Sequence, residues 1–158
     1  MDELHGLLTH DKLKQAFRAE AGTVLRYLYF ARIADIEGFP DVAQLFRDLA
    51  KSGICNADGH LDFLKRIGDP DTDLPIGETD QNLIAAISST IREQTELYPL
   101  LAQTATSDGL LDIANWFETM TKTKKAHEEK LKRSLAQLNL ALRDEKELSS
   151  APAGVGQQ

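Results

Sequence analysis

An internal repeat is the feature of this sequence that most constrains its fold. The segment DVAQLF, which starts at Asp41, is matched by DIANWF, which starts at Asp112, and the same offset of 71 residues places Tyr27 on Tyr98. Self-similarity over such a distance predicts two related helical hairpins. Two amphipathic hairpins bury their apolar faces by closing as a four-helix bundle, whereas an open array usually needs three repeats. The sequence therefore predicts an all-α four-helix bundle.

Apolar side chains recur at steps of three and four residues through four stretches, which is the period of an amphipathic helix. Gly38 with Pro40, a long connection rich in Pro, Gly and acidic residues, and Gly109 separate the stretches. The predicted helices cover residues 11–37, 41–67, 80–105 and 109–146.

Polar residues next to these boundaries predict how the helices begin. Asp41 is expected to cap the second helix, and Thr79 or Asp80 the third. Residues 1–10 are expected to form a short amino-terminal segment, and the bundle to span 11–148. The uncharged tail 149–158 is expected to be disordered.

Composition excludes several classes of function. A formal net charge of −7 opposes binding to nucleic acid or to an anionic membrane. No apolar run approaches the ~20 residues of a membrane helix, and the amino terminus lacks a basic segment followed by an apolar one, so we expect a cytoplasmic protein. One cysteine, Cys55, excludes an internal disulfide framework.

The inward-facing helical positions also carry polar residues, and these require an explanation. They are Glu20, Asn56, Thr90, Glu93, Lys124 and His127. A single polar residue on an apolar face is most often an ordinary residue at the edge of a core. Six of them on four helices are different, because each isolated buried charge costs several kcal/mol unless it is paired. The pattern indicates a polar cavity.

Several long strings carry a resemblance to a known family. RYLYFARIADIEGFP, GHLDFLK, LPIGETDQNL and IANWFET resemble the rubrerythrin branch of the ferritin-like superfamily, and the likeness runs from about Leu13 to about Leu135. The resemblance implies a ferritin-like four-helix bundle with two iron ions between carboxylates and histidines. It also implies reduction of peroxide with electrons from a carboxy-terminal rubredoxin. These 158 residues hold one cysteine, so we expect no rubredoxin, whose iron needs four thiolates.

The family's ligand pattern is only partly present. It consists of one Glu on the first helix, ExxH on the second, two Glu on the third and ExxH on the fourth. Glu20, Glu93 and His127 match three of these positions. The other four positions hold Gly53, Asn56, Thr90 and Lys124.

These differences lead us to expect a protein without a cofactor. Two irons need bridging carboxylates to offset their mutual repulsion, and a charged ammonium has no lone pair to donate to a metal. We expect Lys124, with a protonated His127, to neutralise Glu20 and Glu93 in a buried network. Tyr27 and Tyr98 match tyrosines of the family and are consistent with hydrogen bonds to these two carboxylates, although a tyrosine on an inward-facing position is as often an ordinary core residue.

Three hypotheses of function follow. The first is a scaffold without metal that binds a partner protein or a small ligand and does not carry out diiron peroxidase chemistry. The alternative is an oxidoreductase related to peroxide or electron transfer, with a single Fe or Mn held by Glu20, Glu93 and His127, or with chemistry at Cys55. Cys55 is otherwise expected to be a small buried side chain. The third is that the chain is one half of a heteromeric assembly in which a related subunit binds the metal and carries out the chemistry. The family resemblance suggests a homodimer.

Overall fold

The fold was analysed in a computed structural model that describes residues 6–150, with side chains described for residues 6–143. Every regular element in this range is a helix, which confirms the all-α class. The helices are α1 (Leu8–Ile36), α2 (Pro40–Leu64), α3 (Thr79–Arg92), a π-helical segment (Glu93–Leu97), α4 (Tyr98–Ser107) and α5 (Leu111–Ser150). None of these helices combines the length and apolar content needed to cross a membrane.

The chain divides into two compact units, one that ends at Ile76 and one that begins at Gly77. In the amino-terminal unit, α1 and α2 pack against each other along small side chains. Every seventh residue of α2 is buried, and these are Ala43, Ala50, Ala57 and Leu64. They face the buried residues of α1, which are Val24, Ala31 and Ala34. Small residues at this spacing allow the two helix backbones to approach closely.

Aromatic rings repeat the same contact in both units. In the amino-terminal unit, the rings of Tyr27 and Phe46 lie 5.7 Å apart. In the carboxy-terminal unit, the rings of Tyr98 and Phe117 lie 6.3 Å apart. Each residue of the second pair follows its counterpart by 71 positions. The sequence repeat therefore corresponds to a repeated tertiary contact between two helices.

The acidic connection after α2 folds back onto α1 within the amino-terminal unit. Lys14 forms an ion pair with Asp73, and Arg18 donates a hydrogen bond of 2.7 Å to the Pro70 carbonyl oxygen. The hydrogen bond from Lys14 lowers the pKa of the Asp73 carboxyl. The Asp69 carboxylate accepts from the backbone N–H of Thr72 at 2.7 Å, which closes a local turn. The basic first half of α1 thus anchors this part of the chain.

Helix boundaries differ from the sequence prediction in ways that have local causes. Helix α1 begins at Leu8 rather than near residue 11. Helix α2 begins at Pro40 with Phe39 as the N-cap, so Asp41 lies in the first turn and does not cap. Proline suits the first helical position because its missing N–H would be unsatisfied there in any case.

The third predicted helix also differs. Its N-cap is Glu78 rather than Thr79 or Asp80, and the Glu78 backbone N–H donates to the Gln81 side chain at 3.4 Å. Its interior contains the π-helical segment, which the amphipathic pattern does not predict. Of the predicted disordered tail, Ser149 and Ser150 belong to α5, and residues 151–158 lie outside the described residues.

Gly22 in α1 and Gly59 in α2 provide a test of this helical assignment. A Cβ added at either position meets no atom within 4 Å. Because alanine favours the helix interior over glycine by roughly 0.5–1 kcal/mol, Gly22→Ala and Gly59→Ala should each raise the free energy of unfolding by about that amount. Urea denaturation measures the change. Gly38→Ala is the control, since a φ of +83° at Gly38 should make alanine destabilising there. A loss of stability in Gly59→Ala would contradict the packing described for α2.

Candidate functional site

The π-helical segment begins at Glu93, one of the three retained ligand positions. A π turn adds one residue to a helix and is found frequently at functional sites. Glu20 and Thr90 are the first family ligand positions on their helices, and seven positions separate Glu20 from Tyr27 whereas eight separate Thr90 from Tyr98. The offset between the two halves of the chain therefore changes from 70 at Glu20 and Thr90 to 71 at Tyr27 and Tyr98. This change was a sequence signal for the π-helical segment, although helical periodicity alone missed it.

In the carboxy-terminal unit, the structure brings Glu93 and Lys124 together. Lys124 Nζ lies 2.6 Å from Glu93 Oε2, and each side chain is 24% exposed. The same ammonium lies 6.0 Å from the centre of the Tyr98 ring. The pair is half-buried, so water screens the attraction between its charges more than it would in the enclosed network expected from the sequence. Lys124 compensates Glu93 across the interface between the π segment and α5.

The carboxy-terminal unit holds other polar residues that bear on the candidate site. Thr90 is buried, at 7% exposure, whereas His127 is exposed on α5. Gln94 and Lys132 both donate hydrogen bonds to the Glu128 carboxylate. The hydrogen bonds from Lys132 and then from Gln94 lower the pKa of Glu128. Sequence reasoning did not single out Gln94 or Glu128, because neither interrupts the apolar pattern.

In the amino-terminal unit, the structure brings Glu20 together with Asn56 and Gly53. Asn56 Nδ2 donates to Glu20 Oε1 over 3.2 Å. Gly53 is buried, and a Cβ built on it would lie 2.9 Å from Glu20 Oε1 and 2.7 Å from Val24 Cγ2. The Glu20 carboxylate thus rests against the backbone of α2 at the position where the family pattern has a glutamate.

Tyr27 and Tyr98 both make ring contacts in the structure. Tyr27 contacts the rings of Phe30 and Phe46, and no described residue gives it the expected hydrogen bond to Glu20. Tyr98 likewise contacts Phe117 and Lys124 rather than hydrogen-bonding to Glu93 within the described side chains. Both tyrosines serve packing.

One further expectation differs from the structure. Cys55 is exposed, although a buried thiol was expected, because it lies on the side of α2 away from the alanine positions. Of the expected network, the structure shows the Glu20–Asn56 hydrogen bond within the amino-terminal unit and the Glu93–Lys124 pair within the carboxy-terminal unit.

These residues do not fit a two-iron centre of the family type. Gly53 has no side chain that could bind a metal, and its surroundings leave no room for one. The Lys124 ammonium is paired with one carboxylate oxygen of Glu93. Among residues 6–143, no three His, Cys, Asp or Glu side chains are gathered as a ligand set. The retained donors are two carboxylates and one imidazole, types that iron accepts.

Comparison with known proteins gives a consistent family. The family model described as Rubrerythrin matches residues 11–135. Rubrerythrin-1 of Clostridium acetobutylicum is 29% identical over 138 residues, which cover 82% of this chain and 71% of that protein. Rubrerythrin of Porphyromonas gingivalis is 33% identical over 129 residues, 79% of this chain and 64% of that protein. Rubrerythrin of Nitratidesulfovibrio vulgaris is 30% identical over 135 residues, which cover 82% of this chain and 70% of that protein.

Solved structures of nigerythrin are also similar to this chain. One, a fully reduced state described as all ferrous, is 20% identical, with 87% of this chain and 71% of that chain covered and a TM-score of 0.40. A mixed-valence state of nigerythrin gives the same identity and TM-score.

These matches correct two expectations drawn from the lost ligand positions. The expectation of a scaffold that has lost redox chemistry and acts only by binding a partner or ligand is wrong, because the matching family model and these relatives are rubrerythrins. The expectation that no cofactor is present is wrong for the same reason, since this is a family of iron-binding proteins. The error came from reading four changed positions as the loss of a site, when the donors at Glu20, Glu93 and His127 are still present.

The Lys124–Glu93 pair predicts a measurable coupling. Lys124→Met should lower the free energy of unfolding by about 1–2 kcal/mol, less than the roughly 3–5 kcal/mol expected for a fully buried pair, because both side chains are partly exposed. Lys124→Met with Glu93→Leu should cost less than the sum of the single changes, since neither charge is then left without its partner. Urea melts of the four proteins measure this coupling. Additive losses would mean that the two side chains do not interact in solution.

Proposed function

Because this chain belongs to the rubrerythrin family, we propose that it is an oxidoreductase that uses iron and acts on peroxide or in electron transfer. Membership also assigns the ferritin-like four-helix fold class, in agreement with the helical hairpins. The observation that carries the proposal is the match over residues 11–135 together with three donors retained at ligand positions.

Glu20 in the amino-terminal unit, and Glu93 and His127 in the carboxy-terminal unit, are the residues at family ligand positions whose side chains iron accepts. Iron, when bound, supplies the one-electron chemistry that reduction of an O–O bond requires. The chain's own residues hold and orient the donors. Asn56 donates to Glu20, and Lys124 Nζ lies at hydrogen-bond distance from Glu93. Hydrogen-bonded carboxylates are typical of metal ligands, because the second partner fixes the orientation of the first.

The four changed positions support a remodelled site for one ion. Asn56 and Thr90 keep polar atoms where the family has a histidine and a glutamate, but neither supplies a negative charge. Lys124 adds a positive charge beside Glu93. Fewer negative donors balance less metal charge, so a single ion is the stoichiometry that this set favours.

The metal content of the purified protein tests the proposal. Protein produced in iron-replete medium should contain close to one iron per chain, and Glu20→Ala and Glu93→Ala should each remove most of it because each deletes a candidate ligand. Glu118→Ala is the matched control, since Glu118 is an exposed carboxylate of α5 outside the family ligand positions. Inductively coupled plasma mass spectrometry gives the ratio. A parent protein without iron, or an equal loss in Glu118→Ala, would contradict the proposal.

Cys55 allows a second route to be tested in the same protein. The thiol is exposed and therefore accessible to peroxide. If iron carries the chemistry, Cys55→Ser should consume hydrogen peroxide at the parental rate in the presence of a chemical reductant. Loss of peroxide consumption in Cys55→Ser with unchanged iron content would assign the chemistry to the thiol instead.

Other expectations from the sequence stay predictions. They are a homodimer, a cytoplasmic location and the lack of nucleic-acid or membrane partners. Sedimentation equilibrium of the full chain tests the first.

A further inference from the structure

We propose that two copies of this chain exchange hairpins, so that the amino-terminal hairpin of each copy (α1 with α2) packs on the carboxy-terminal hairpin of the other (α3 to α5). Each four-helix bundle then contains helices from both copies. The inference goes beyond the proposed function and does not depend on iron. It rests on the apolar faces of the hairpins and on the short connection between them.

Each hairpin has an apolar face that its own helices do not cover. On α2 this face includes Val42 and Leu45, which are 44% and 55% exposed. The internal repeat places Ile113 and Trp116 at the corresponding positions of α5, where they are 45% and 59% exposed. Large apolar side chains left in water at matching positions of both repeats mark surfaces that another element covers. A ferritin-like bundle covers such faces by packing one hairpin on another.

The connection between the hairpins is anchored at the beginning of α1. The Lys14 ammonium forms an ion pair with the Asp73 carboxylate. The Arg18 guanidinium donates a hydrogen bond of 2.7 Å to the Pro70 carbonyl oxygen. These two contacts hold the connection, as far as Asp73, beside the first half of α1.

The remaining part of the connection is too short to return along its own hairpin. A ferritin-like bundle has one long crossover connection between its hairpins, and a crossover runs the length of a helix. From Lys14 to Ile36, the last residue of α1, the helix rises by about 33 Å. From Asp73 to Thr79, the first residue of α3, a fully extended chain spans at most about 22 Å. An anchored connection therefore favours packing on a second copy, because it then only has to lead from one bundle to the next.

Twofold symmetry closes the exchange. When the amino-terminal hairpin of one copy packs on the carboxy-terminal hairpin of the second, a twofold axis generates the reverse contact as well. Both apolar faces of both copies are then covered. Exchange of an identical element is a low-cost route to a dimer, because its contacts are those that the fold already requires.

Lengthening the connection tests the exchange in the full chain. An insertion of about eight Gly and Ser residues after Pro75, which lies outside the helices, adds up to roughly 28 Å of reach. That length lets the carboxy-terminal hairpin close on the amino-terminal hairpin of the same chain. We expect the parent to sediment as a dimer and the lengthened chain to sediment as a monomer at the same concentration. The same insertion after Gly109, in the turn between α4 and α5, is the matched control and should stay dimeric.

Removal of the anchor gives an independent test without an insertion. Lys14→Met with Arg18→Met frees the whole connection from Leu64 to Thr79, which can then span up to about 54 Å. This variant should raise the monomer fraction several-fold. Lys12→Met with Lys51→Met is the control, because these exposed lysines lie outside the anchor and their change should leave the dimer intact.

Trp116, the single tryptophan of the sequence, reports whether the apolar faces are covered. Packing of one hairpin on another removes the indole from water, so its emission should lie at equally short wavelength in the dimeric parent and in the monomeric lengthened chain. Leu45→Glu places a charge on an apolar face and should weaken dimer formation by about tenfold or more. Leu25→Glu is the control, because the repeat places the charged Glu96 at the position that corresponds to this exposed leucine.

A dimeric parent that becomes monomeric when the connection is lengthened or freed, with short-wavelength Trp116 emission and unchanged helix content by circular dichroism, supports the exchange. A monomeric parent overturns the proposal, since each chain then closes on itself. A dimer that persists in both the lengthened and the freed chain also overturns it, because such a dimer does not depend on the connection. If the lengthened chain loses helix content, the freed chain decides between these outcomes.

Discussion

The structure depends on compensation of carboxylates that lie on packed helix faces. A half-buried carboxylate loses part of its hydration, so a donor must replace the water. Each hairpin provides this donor from its second helix, with Asn56 for Glu20 and Lys124 for Glu93. The two donors occupy family ligand positions. The same helix faces that would hold a metal in the family thus hold their carboxylates through hydrogen bonds and charge.

The sequence predicted much of the fold, because helical periodicity is read from residues close together in the chain and the repeat is read by comparing two of its segments. The offset that joins Tyr27 to Tyr98 also joins Phe46 to Phe117, and both pairs make ring contacts. The π segment was missed because a single inserted residue barely alters an amphipathic pattern. The cap of α2 was missed because Pro40 starts the helix before Asp41 can cap it.

The candidate site shows where a list of ligand positions is insufficient. The sequence identified Glu20, Asn56, Glu93 and Lys124, yet treated them as one buried network. Within the units, Glu20 accepts a hydrogen bond from Asn56 and Glu93 pairs with Lys124, and partial exposure weakens the Lys124–Glu93 interaction. The role of Gly53 required coordinates, because a missing side chain is informative only when the distance to Glu20 is known. Family membership then overturns the expectation that the changed ligand positions mean a loss of redox chemistry.

The central claim is that this rubrerythrin-family chain binds iron as a single ion. Mössbauer spectroscopy of the full chain loaded with ⁵⁷Fe tests it most directly, because an isolated ferric ion and a bridged pair differ in magnetic behaviour. The account predicts about one iron per chain with the magnetically split, low-temperature spectrum of an isolated paramagnetic ferric ion. A diamagnetic spectrum from two coupled ferric ions per chain, or the absence of bound iron, would contradict it.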